Sequence, residues 1–265
     1  MTLLARIVPL GGLTRPGRLF ERNLMVYRRT WMVLFSGFFE PLFYLLGIGF
    51  GIGSLVGSVT GPGGQEVPYQ VFVAPALLAS AAMNGAIYDS TTNVFFKLKY
   101  SHTYDAVLTT PVGVPDVAIG EIAWALFRGT LYAIGFMVVM LALGLVRSPA
   151  WLLALPASIL IGFAFASVGM ALSTWIRSWA DFDKLQLVLL PMFLFSATFY
   201  PITAYPPALQ VVVELTPLYH GVDLLRGLTT GSIGVPQLVD VGYLIVMGII
   251  GLAVVSRRLA RLLLK

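Results

Sequence analysis

Over 265 residues the chain is 58% hydrophobic and only 11% charged, against roughly a quarter charged in a soluble globular domain. That balance leaves no residues over for a sizeable soluble domain and predicts one polytopic, all-α membrane domain over 1–265. A net charge of +5 with no cysteine argues for membrane orientation rather than nucleic-acid binding, and excludes disulfides, Cys-based metal sites and thiol catalysis.

Residues 1–30 hold six arginines, with Leu19, Phe20, Leu24 and Tyr27 recurring on one helical face. That pattern predicts an amphipathic helix at the interface with anionic lipid, with a flexible basic anchor as the alternative. Met1 to Arg15 holds no apolar core of the kind a cleaved leader needs. The first span is expected at 31–53. Its GIGFGIG run (Gly47–Gly53) lacks the strand and acidic residue of a dinucleotide motif, and glycines four apart suit close helix packing instead. An outer loop follows at 54–68, then a second span at 69–95. The third and fourth spans fall at 117–145 and 151–176, and the fifth starts near Leu185. The sixth covers 236–255. With both termini inside, fourteen of the seventeen basic residues are cytoplasmic, and the positive-inside rule therefore favours six spans.

Three charges lie within or near the spans. Glu40 and Arg128 fall near mid-depth, where an unpaired charge costs at least ~2.5–3.5 kcal/mol. Glu121 lies seven residues before Arg128, on the same helical face, so the three residues could form one network, structural or part of a transport path. The two histidines, His102 and His220, fall in different compartments and read as surface or interfacial residues. No GxxxxGK[ST], HExxH or GxSxG motif is present, so the chain is not expected to be an enzyme or to grip nucleotide phosphates itself.

Two further stretches stand out. In the first cytoplasmic loop (96–112), the stretch from Ser101 is helix-compatible up to Thr109 and is stopped before Pro111. Tyr104, Val107 and Leu108 make an apolar stripe, with His102 and Asp105 on other faces and Thr109 and Thr110 at the end. Such a helix could insert into a groove on a soluble motor or rest on lipid. The second stretch, 189–231, starts as an apolar helix and breaks at Pro201. It turns at Tyr205-Pro206-Pro207 and breaks again at Thr216-Pro217. Proline lacks an N–H and clashes with the preceding turn, and neither later piece can cross about 30 Å of hydrocarbon. A re-entrant segment over 201–232 on the outer side is the expectation.

This second stretch resembles the C-terminal signature of ABC-2 type exporter permeases, through Leu190-Pro191, Ser196, Tyr200-Pro201, Pro206 or Pro207, Pro217-Leu218 and Asp223-Leu224-Leu225-Arg226. The stretches Tyr69–Leu98 and Tyr104–Gly129 are similar to the branch containing nodulation lipo-oligosaccharide and daunorubicin-type drug exporter permeases. The first 30 residues match only in kind. The resemblance implies a six-span permease working with a separate ATPase, two copies of each, with ATP and magnesium bound by the partner. It also implies that Ser101–Thr110 is the coupling helix. The cargo would be an amphipathic molecule such as a lipid-linked sugar, a glycolipid or a hydrophobic drug. Phe35, Phe38, Phe39, Phe43, Phe193, Phe195 and Phe199 could line its pathway or be plain helix packing. An ion-coupled secondary carrier using Glu40 is the rival reading, and a membrane scaffold the third.

Overall fold

The computed structural model describes residues 14–28 and 39–263. Phe35, Phe38 and the start of the expected first span lie outside the described residues. Helix α1 (Thr14–Arg28) is the amphipathic lead-in. Its Leu19, Phe20 and Tyr27 face protein, whereas Leu24 is exposed with Met25 and Val26. Helix α2 (Phe39–Val56) is π-helical over Leu45–Ile52, in the glycine-rich run where the backbone is least constrained. Only part of the expected glycine packing is present: a Cβ on Gly53 would meet the Gln70 side chain at 3.0 Å, whereas Gly47 and Gly51 face open space.

The expected outer loop is a small antiparallel hairpin, β1 (Ser58–Thr60) and β2 (Glu66–Pro68), in register Ser58↔Pro68 and Thr60↔Glu66. Its turn is tied to the turn before the last helix, since Ser232 Oγ donates to Pro62 O at 2.9 Å. The chain then enters α3 (Tyr69–Lys99), whose most apolar window is 83% buried against 22% for α2, so α3 is the axis of the bundle. Being apolar on every side over Val71–Ala79, it needs protein around it. A kink-tolerant Pro75 and a π turn at Asp89–Asn93 interrupt its regularity.

Beyond a short helix α4 (Thr103–Leu108) comes α5 (Val114–Ala142). Asp116 begins it by accepting from the Gly113 N–H at 2.8 Å, a side-chain cap for otherwise orphaned donors. Helix α6 (Ala154–Ser173) packs chiefly on α3 and on the last helix, α10 (Val235–Leu263). The α6–α10 seam is closed by small residues: a Cβ on Gly251 would lie 2.8 Å from the Ser167 carbonyl carbon. Without a hydrophobic drive between helices in lipid, such close backbone approach supplies the association.

Between them α7 (Asp181–Phe195), α8 (Pro207–Glu214) and α9 (Pro217–Thr230) run through the expected fifth span and the expected outer segment. Fifteen residues make α7 about 22 Å long, shorter than a bilayer core. The helix stops because Ser196 leaves helical geometry and Ala197 takes a left-handed conformation at φ 54°, which a residue with a Cβ adopts only at a cost. Five helices among the described residues, α2, α3, α5, α10 and the α6 stretch Pro149–Ser173, are long and apolar enough to cross a membrane. The chain is thus a polytopic, all-α membrane protein.

Candidate functional site

Proline placement builds the segment from Pro201 to Thr230. Pro207 and Pro217 occupy the first turns of α8 and α9, where a missing N–H costs nothing. Pro201 and Pro206 sit in extended geometry just before a 3-10 turn and before α8. Arg226 of α9 holds these pieces to the bundle. Its Nη2 donates to Ala197 O at 2.8 Å and its Nε to Phe72 O at 3.1 Å, and the guanidinium lies 3.7 Å over the Phe72 ring. The carbonyls freed where α7 ends are thus answered by a buried cation. Ser196 Oγ and Thr216 Oγ1 meet at 2.9 Å alongside. Asp223 does not pair with Arg226 but accepts from Gln237 Nε2 at 3.0 Å. Nearby, His220 Nδ1 lies 2.7 Å from Asp240 Oδ1 and its ring stacks on Tyr243 at 3.9 Å. His220 therefore sits in a largely buried pair rather than at a free surface.

Within the bundle, the three expected charges do not form one network. Arg128 Nη1 donates to Asp89 Oδ1 at 2.6 Å and its Nη2 to the Tyr132 hydroxyl at 2.6 Å. Glu121 instead binds Lys97 Nζ at 2.7 Å and accepts from Asn23 Nδ2 at 3.3 Å. Each pair is buried. Although Glu121 and Arg128 share a helix, the π turn of α3 and its C-terminal end present Asp89 and Lys97 nearer to them. Glu40 is exposed on α2, and it meets Arg128 only across a cavity of about 510 Å³. Tyr44, Asn84, Gln186 and Phe193 help to line that space. It lies between α2, α3, α5 and α7, and α7 contributes no buried residue.

Of the aromatic candidates, Phe193 lines the cavity, 5.6 Å from Tyr44, and Phe199 backs it at 5.2 Å. Phe39 and Phe43 stack on the exposed flank of α2, and Phe195 turns away toward Tyr205.

In the 96–112 loop, α4 is shorter than the expected helix and is oriented differently. Tyr104 is fully buried and Val107 and Leu108 pack on the core, so the apolar stripe faces the protein's own bundle. Ser101, His102, Asp105, Thr109 and Thr110 are left exposed. His102 starts the helix from a left-handed conformation at φ 46°, with Nδ1 3.0 Å from Asp105 Oδ2. Burial pushes the Tyr104 hydroxyl well above the usual phenol range, with the neighbouring Glu121 charge adding to it, so it stays neutral.

In the turn before α7 the Lys184 ammonium and the Arg177 and Ser178 N–H groups hold Asp181 below the usual carboxylate range. A depressed carboxylate contributes stability above its unfolded pKa and loses it as pH falls through the folded value. At this exposed site the effect is small.

Sequence reasoning missed Asp89, Lys97, Asn23 and Asp240. An acidic residue inside an apolar run signals a buried partner, and Asp89 carried that signal. Asn23 carried none.

Comparison with known proteins matches residues 17–229 to the model of the ABC-2 type transporter family. Nodulation protein J of Rhizobium meliloti (strain 1021) is 32% identical over 91% of this chain and 92% of that protein. Its counterpart in Rhizobium leguminosarum bv. viciae is 31% identical over 96% and 98%. The inner membrane transport permease YadH of Escherichia coli (strain K12) is more distant, at 22% identity over 86% and 88%. Family match, relatives along most of the length and several membrane-crossing helices agree: the chain belongs to the ABC-2 type transporter family, as a multi-pass permease of the inner membrane.

Proposed function

We propose that this permease, paired with a second copy or a related permease, moves an amphipathic cargo outward when two ABC ATPase subunits bind and hydrolyse ATP with magnesium. In this reading the single domain has six spans with both termini cytoplasmic, 1–30 as lead-in, 96–112 as coupling loop and 201–232 as the outer re-entrant segment. The fifth span combines α7 with the bend after it. The observation that carries the reading is the pairing, in one chain of this family, of a short helix with an exposed polar face at Ser101–Thr110 and a cavity between α2, α3, α5 and α7. The cavity mixes Phe193 and Tyr44 with Asn84, Gln186 and Glu40, a lining that suits a molecule with both an apolar and a polar part. The resemblance to nodulation lipo-oligosaccharide exporter permeases supports an oligosaccharide-bearing lipid as one such cargo.

The carrier reading has its own observation in Glu40, a carboxylate exposed to the cavity. Everted vesicles holding the permease and its ATPase separate the two. ATP-driven uptake of a fluorescent glucosylceramide should be abolished by vanadate and unaffected by a protonophore. Uptake that needs no ATP and collapses with the protonophore, or with Glu40→Gln, would favour the carrier.

A further inference from the structure

Four segments meet at one buried polar point. Lys97, at the C-terminal end of α3, places Nζ 2.7 and 2.9 Å from the two Glu121 oxygens of α5 and 3.0 Å from Asn23 Oδ1 of α1. Asn23 closes the triangle by donating to Glu121 at 3.3 Å. Tyr104 of α4 is fully buried beside the same carboxylate. Helices α1 and α5 already form one body: Gly120 lets α1 come so close that a Cβ there would sit 2.9 Å from Leu19 Cβ and 3.1 Å from Pro16 O. Phe20 adds edge contacts to Trp124 and Phe127 at 5.6 and 5.3 Å. Lys97 is therefore the polar link from that body to the segment that carries α4, only a few residues further along the chain.

We propose that Lys97, Glu121 and Asn23 are positioning residues forming a rigid joint, which makes the amphipathic helix α1 and span α5 move with α4 when the ATPase displaces it. The inference rests on the exporter reading above. A buried ion pair is weak evidence for stability, since apolar replacement of both partners is often neutral. Its use here is to fix the C-terminal end of α3 against the α1–α5 body. Without it, force on α4 would tilt the end of α3 and leave α1 behind.

The cysteine-free sequence makes this measurable with spin labels at Met25→Cys on α1 and Thr109→Cys after α4, both exposed positions. A third site at Leu238→Cys, also exposed, reports on the outer side. In nanodiscs with the ATPase, the 25–109 separation should stay constant between nucleotide-free and vanadate-trapped states, while 109–238 changes. The Lys97→Met/Glu121→Leu double variant leaves no lone buried charge, so it is expected to fold. Its 25–109 separation should shift on trapping by up to about 5 Å, one helical turn, and the stimulation of ATP turnover on binding the permease should fall at least about fivefold.

The reversed pair, Lys97→Glu/Glu121→Lys, should restore both readouts, because the Asn23 amide can donate and accept in either arrangement. A double variant in which 25–109 stays constant overturns the joint, as does a folded reversed pair that restores neither readout. In either case the exporter reading stands. A wild-type permease that recruits no ATPase would instead remove the exporter reading and this inference with it.

Discussion

Arg226→Ala is expected to lower the free energy of unfolding by about 3 kcal/mol or more, because it removes the charged donor from two buried carbonyls, each such bond worth roughly 1.5–3 kcal/mol. The acceptors, Phe72 O and Ala197 O, belong to different elements, so the loss also frees the proline-rich segment from α3. Denaturant titration in detergent checks the magnitude. Arg226→Lys should recover only a fraction of it. A single ammonium keeps the charge but cannot span both carbonyls while lying flat over the Phe72 ring at 3.7 Å as the planar guanidinium does. A lysine variant as stable as wild type would mean that charge alone holds the segment.

The second large effect is functional. Asp105→Arg combined with Ala106→Arg places two cations on the exposed face of α4, while Tyr104, Val107 and Leu108 keep the helix seated on the bundle. The permease should fold and melt as wild type. Recovery of the ATPase on affinity purification should fall at least about tenfold, since an unpaired charge buried at an interface costs more than the 1.4 kcal/mol that tenfold represents. Replacing the inward Tyr104 should act differently, through stability first. Retained ATPase binding in the double arginine variant would place the docking surface elsewhere on the chain.

Much of the architecture was legible because apolar length is a one-dimensional signal. The spans through Tyr69, Val117, Trp151 and Pro236 needed only hydropathy, and the breaks at Pro201, Pro206–Pro207 and Pro217 needed only the missing N–H of proline. The end of α7 was not legible. It depends on a left-handed Ala197 stabilised by an arginine 29 positions later. The stripe of Tyr104, Val107 and Leu108 was read as a helix face correctly, yet an apolar stripe says that it is covered without saying by what, and here the bundle covers it. Charge pairing was least legible. Glu121 and Arg128 share a face, but apart from Tyr132 their partners arrive from α3 and α1, separated in sequence by 24 to 101 residues.

As an ABC-2 permease of the inner membrane, the chain depends on an ABC ATPase for its energy. The most direct test is purification of the tagged chain from its native membrane in mild detergent, followed by an ATPase assay. The account predicts co-purification of a soluble P-loop protein with vanadate-sensitive turnover that is lost on deleting Tyr104–Thr109. A partner-free chain without ATPase activity, still transporting down an ion gradient, would contradict it.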